Sequence, residues 1–109
     1  MSETARQLIA DGGNEIAVSP ASYGEIAIKI GLGKYALPEP YDSFMERELG
    51  NNDFQILPIL PRHTGLLTTL PDHHRDPFDR LLVAQAISEA IPLNSNASVL
   101  DVYPIQRLW

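Results

Sequence analysis

Along this chain, short apolar runs bounded by turn residues alternate with longer stretches in which apolar residues recur at helical spacing. Residues 3–10 are polar and helical in character and are stopped by Gly12-Gly13. Residues 15–18 form a short strand, followed at once by Ser19-Pro20, an N-cap and first-turn proline opening a helix to about Ile30. Gly31 and Gly33 end that helix, and residues 41–50 make the next. A second strand spans 54–57, and a third, apolar helix runs from Pro61 to about Leu70. A helix opened by Asp76 continues to about Ala90, residues 92–95 make a strand, 97–102 a short helical turn, and 105–108 a last strand.

Strands separated by helices of this length predict βαβ units, hence a parallel sheet with helices on both faces. Ligands of such sheets bind beyond the carboxyl ends of the strands. Glu25 and Asp79 fall on helices near those ends, an arrangement that permits them to converge.

The densest chemistry lies in the stretch from His73 to Ala86. Asp76 suits an N-cap and Pro77 the first helical position, where proline's missing N–H has no partner in any case. Asp79 then falls at the third helical position, where a carboxylate favours the positive end of the helix dipole. Leu81, Leu82, Val83, Ala84 and Ala86 are apolar almost all round, which predicts a buried helix holding its acid in a fixed place. Capping alone is the competing account of Asp-Pro-x-Asp. Glu25 shares an otherwise apolar stripe with Ile26, Ala27, Ile28 and Ile30. A buried carboxylate there calls for a cation or a hydrogen-bond donor facing it.

The other polar candidates have simpler readings. His73 and His74 point in different directions, with His63 on a separate element, so a solvated loop is favoured over a zinc site. His74, Arg75 and Arg80 are candidate phosphate contacts, the arginines being equally able to pair with the neighbouring acids. Ser19 and Ser22 suit the start of their helix, and Tyr23 suits packing.

Composition narrows the class. The chain has 109 residues, which predicts a single domain over 1–109, and its 44% apolar and 20% charged residues are ordinary for a soluble protein. No apolar run is long enough to span a membrane, cysteine is absent, and the polar start is unlike a signal peptide. A cytoplasmic location fits. A net charge of −6 argues against a simple nucleic-acid-binding module. It leaves room for a nuclease whose metal ions carry the positive charge to the phosphate.

Several blocks resemble bacterial PIN domains of the VapC toxin type. Val18 through Lys29 is similar to that family's second acidic motif. Gly31-Leu32-Gly33-Lys34, Leu57-Pro58-Ile59, the Leu70 to Arg80 block and the ending Tyr103-Pro104-Ile105 through Leu108-Trp109 continue the likeness in order. The resemblance implies a three-layer α/β/α sandwich around a parallel sheet. It also implies cleavage of RNA with Mg²⁺ (or Mn²⁺) held by carboxylates, since hard cations take oxygen ligands. On this resemblance Glu25 takes the second acidic position, Asp79 the third, and Asp76 is an accessory acid. A toxin's role implies homodimerisation and neutralisation by a small antitoxin protein.

Two of the family's four usual acids have no counterpart. The first strand, normally central in the sheet and ending in an acid, is expected to be missing from this chain. Ala97 stands where the last acid should be, and Asp101 comes four residues later. A gap in the sheet would leave unpaired backbone groups, predicting an upstream start, closure over the gap, or a partner chain that fills it. Two readings therefore stand: a VapC-like ribonuclease, or a truncated or degenerate PIN domain that binds a protein partner or dimerises without catalysis.

Overall fold

The computed structural model describes residues 16–51, 54–95 and 98–108, and the expected opening helix lies outside them. Over the described residues, the chain divides after Pro58 into two compact units. The fold is mixed α/β, with the described strands in two separate two-stranded parallel sheets, one in each unit.

In the first unit, β1 (Ala17–Val18) pairs with β2 (Gln55–Ile56) in the register Ala17↔Gln55 and Val18↔Ile56. The N–H of Leu57 continues the ladder to the Val18 carbonyl at 2.9 Å. Parallel neighbours need a crossover, supplied here by α1 (Pro20–Gly31) and α2 (Tyr41–Asn51). The start of α1 is as expected: Ser19 is extended, its hydroxyl accepts from the Ala21 N–H, and Pro20 opens the first turn. At its other end, Gly33 takes φ +77°, while its N–H bonds to the Ile30 carbonyl and that of Lys34 to Lys29. This is a Schellman turn, whose left-handed residue favours glycine. The Tyr41 hydroxyl donates to the Tyr23 carbonyl at 3.0 Å and ties α2 to α1. Burial, with Tyr23 and Asp42 nearby, raises the pKa of Tyr41 above its ordinary value.

The second unit contains α3 (Pro61–Leu67), α4 (Pro77–Glu89), β3 (Leu93–Asn94), a 3-10 turn (Ser98–Val102) and β4 (Arg107–Leu108). Strands β3 and β4 pair in parallel, Leu93 opposite Arg107. Leu70, Val83, Leu100 and Tyr103 form the core, with Leu67, Ile87, Leu93 and Ile105 packed against it. Helix α4 is buried along Val83 to Ala86, as its apolar sequence predicts. It ends with Ala90 in the left-handed region (φ 55°), the Ala90 and Ile91 N–H groups bonding back to Ile87 and Ala86.

Helix α3 departs from expectation in length, stopping at Leu67 rather than near Leu70. The hydroxyls of Thr68 and Thr69 bond to the Gly65 and Leu66 carbonyls, a local alternative that competes with continued helix. Its start is also unusual. Leu60 has no side-chain acceptor, so the cap runs the other way: its N–H donates to Nδ1 of His63 at 2.9 Å. With Nδ1 accepting, Nε2 carries the hydrogen and meets Glu89 Oε1 at 2.6 Å. His63 is fully buried, and Arg62 donates to the same oxygen at 2.6 Å. These bonds, His63 foremost and Arg62 second, hold the Glu89 carboxyl below its usual pKa and join α3 to α4.

Candidate functional site

The second unit gathers most of the predicted site residues at the mouth of α4. Asp76 caps the helix, its Oδ1 accepting from the N–H groups of Phe78 at 2.9 Å and Asp79 at 3.2 Å. Pro77 is the first helical residue. Asp79 follows in the first turn, with its backbone fixed by Asp76 and its carboxylate half-buried at 26% exposure. The capping reading of Asp-Pro-x-Asp therefore holds for Asp76, while Asp79 projects its carboxylate from the first turn.

His74 departs from the solvated-loop expectation. Its Nε2 lies 2.9 Å from Asp79 Oδ2, and since a carboxylate oxygen only accepts, the ring donates. His73 is exposed and lies against the Tyr103 ring, the centroids 5.5 Å apart. The two histidines thus serve different neighbours, as adjacent side chains should.

The arginines also separate. Arg80 does not pair with the neighbouring acids: a terminal nitrogen donates to the Leu70 carbonyl at 3.0 Å, and its Nε is buried without a partner among the described residues. That geometry makes Arg80 a brace between the turn after α3 and the start of α4. Arg75 is exposed. Asp101, four residues beyond Ala97 in sequence, is engaged by Arg107 at 2.7 and 3.1 Å, and Arg107 also donates to the Ser95 carbonyl. Arg107 holds the Asp101 carboxyl below its ordinary pKa, and Asp101 raises that of Arg107. Ala97 lies outside the described residues.

Glu25 belongs to the first unit, on α1. It is only half-buried, and Lys29 one turn further on places its ammonium 3.8 Å away. The cation that a carboxylate on this stripe called for is thus supplied from its own helix. The stripe itself is less buried than its composition predicts, with Ile28 at 52% exposure.

Sequence reading missed Tyr103 and His63. The Tyr103 hydroxyl donates to the Pro71 carbonyl at 2.9 Å and accepts from the N–H groups of His73 and His74 at 3.2 Å each. Its partners lie about thirty positions away in sequence, so no local pattern could have announced them.

Carboxylate oxygens are the donors a hard divalent cation prefers. Asp76 and Asp79 each keep one oxygen engaged, by the helix start and by His74 respectively. Among the described residues no three acidic or imidazole side chains group to hold an ion. The pair at the α4 mouth thus has suitable chemistry but does not alone complete a coordination shell.

No helix among the described residues is long and apolar enough to cross a membrane. Comparison with curated proteins and with solved structures gave no match. A family model for the PIN domain, in contrast, matches residues 1–96, the greater part of the chain, and takes in Glu25, Asp76 and Asp79. The chain belongs to the PIN domain family.

Proposed function

We propose that this protein is a VapC-like PIN endoribonuclease, the toxin of a toxin–antitoxin pair, hydrolysing RNA phosphodiesters with Mg²⁺ or Mn²⁺. PIN membership points to nuclease-type activity in general and to divalent metal ions. The observation that carries the finer reading is Asp79: a half-buried carboxylate anchored in the first turn of a helix buried along Val83 to Ala86, with its own backbone and side chain both held. In this reading Asp79 and Glu25 are the metal-ligating carboxylates and Asp76 is an accessory one. A bound divalent ion supplies a polarised water and charge stabilisation at the phosphodiester. The protein's part is to fix oxygen donors and to present cationic groups to the substrate. Arg75, exposed beside the helix mouth, is the proposed phosphate contact. Arg80 and His74 contribute indirectly, through the brace to Leu70 and the bond to Asp79. A cytoplasmic homodimer, a three-layer sandwich over one domain of residues 1–109, and an inhibitory antitoxin complete the proposal.

A second reading is a PIN domain without catalysis that binds a protein partner. It is favoured by the absence of a three-ligand group among the described residues and by the Lys29 partner of Glu25. Calorimetric titration of Mn²⁺, run beside RNA cleavage with and without Mg²⁺, separates the two. The nuclease reading expects binding and cleavage in the wild type, and loss of both in Glu25→Gln and Asp79→Asn. Cleavage that survives in either variant would place the activity elsewhere, and a wild type that binds no metal and cleaves nothing favours the non-catalytic domain.

A further inference from the structure

We propose that Tyr103 and His74 are positioning residues for Asp79. The Tyr103 hydroxyl sets the backbone of His73 and His74, and the His74 ring holds the Asp79 carboxylate. The inference deepens the nuclease proposal and rests on it for the role of Asp79 as a metal ligand.

A tyrosine hydroxyl has one hydrogen to give and two lone pairs to share. Tyr103, at 3% exposure, spends all three on one short segment: it donates to the Pro71 carbonyl and accepts from two successive N–H groups, those of His73 and His74. One bond would have satisfied the buried hydroxyl. Three fix both the position and the direction of the backbone at His74, while the His73 ring lies tilted at 57° against the Tyr103 ring. From that fixed root the His74 side chain reaches Asp79 Oδ2 at 2.9 Å.

A clamp serving only to pin the loop would need nothing beyond Pro71, His73 and the hydroxyl. The His74 ring instead extends the chain of contacts to the one carboxylate that the helix start leaves projecting. Both side chains of the pair are about a quarter exposed (24% and 26%), so the carboxylate is oriented without being sealed off. Asp76 meanwhile fixes the Asp79 N–H. Backbone and carboxylate are thus held by independent partners, the arrangement by which outer hydrogen bonds orient metal ligands.

The test uses the full chain, Mn²⁺ alone as the probe, and the variants Tyr103→Phe, His74→Ala and His74→Gln. Two quantities are read: Mn²⁺ affinity by calorimetry, and the ¹³C carboxyl resonance of Asp79 in metal-free protein. Losing an outer partner should weaken Mn²⁺ binding roughly tenfold or more. The expected result is that loss in Tyr103→Phe and His74→Ala, with a moved Asp79 resonance in both and partial recovery in His74→Gln, whose amide still donates. Unchanged resonance and unchanged affinity in folded Tyr103→Phe and His74→Ala would overturn the proposal. Should Tyr103→Phe not fold, the two His74 variants decide by the same criteria. A wild type that binds no Mn²⁺ removes the metal role of Asp79. The resonance then judges the positioning by itself, movement supporting it and its absence overturning it.

Discussion

The two units of this protein are built from similar parts and packed differently. Each has a two-residue parallel strand pair and a helix opened by a capping side chain followed by proline. In the second unit Val83, Ala84 and Leu100 are fully excluded from water, and Tyr103 nearly so. In the first, only Ser19 and Ala21 among the described residues reach that class, while Ile28, Leu32, Tyr35 and Ile56 stand more than half exposed. The lesson concerns the two candidate acids. Asp79 is rooted in a packed unit, its N–H held by Asp76 and its carboxylate by His74, whose backbone Tyr103 holds in turn. Glu25 is rooted in a thinly packed one and held by a single lysine of its own helix.

The sharpest way to break this comparison is to cut into the two apolar sets. Leu100→Ala removes a fully buried side chain and should cost about 2–5 kcal/mol in denaturant unfolding. Leu32→Ala, at a position 66% exposed, should stay within about 0.5 kcal/mol. Equal losses would mean that the first unit is buried in solution in a way its side chains do not show. The caps should behave alike in both units: Asp76→Ala and Ser19→Ala each remove an acceptor of backbone N–H groups and should each cost about 1 kcal/mol. A much larger loss for Asp76 alone would show that the α4 mouth depends on it beyond capping.

Ala90→Gly should act in the opposite direction. A left-handed alanine is strained where glycine is not, so the substitution should raise stability by up to about 1 kcal/mol in the same unfolding assay. A loss would mean that the Ala90 methyl has packing worth more than the strain.

The remaining effects are smaller. Glu89 has its pKa lowered in the folded state, so it contributes stability above the ordinary carboxylate value of 4.5 and loses it as pH falls through the lowered value. Glu89→Gln should therefore flatten the acid limb of a melting-temperature profile below about pH 4.5. An unchanged slope would assign acid sensitivity to other groups. Lys29→Ala removes a part-exposed i,i+4 pair and should cost no more than about 0.5 kcal/mol. A larger loss would show that α1 is braced through Lys29 to a degree its exposure does not suggest.

What the sequence determined by itself is local. Ser19-Pro20 and Asp76-Pro77 begin helices because the capping oxygen and the N–H groups it accepts lie within three positions, so chain connectivity already brings them together. Gly33 closes α1 for an equally local reason, its positive φ. The order of helices and strands over the described residues follows the hydrophobic pattern, with strands shorter than expected and α3 ending early. Tertiary structure decided the rest. His63, in the stretch read as an apolar helix, gave no sign that it would be bonded to a glutamate 26 positions away. Tyr103 gave none that its hydroxyl would gather three backbone groups from around residue 72. A buried polar group must find its partners wherever the packed chain brings them, and sequence spacing does not encode which distant carbonyl or carboxylate arrives. Asp79 shows both halves of that division: its place in the first turn was legible in Asp-Pro-Phe-Asp, while the direction of its carboxylate was settled by His74 and the tyrosine behind it.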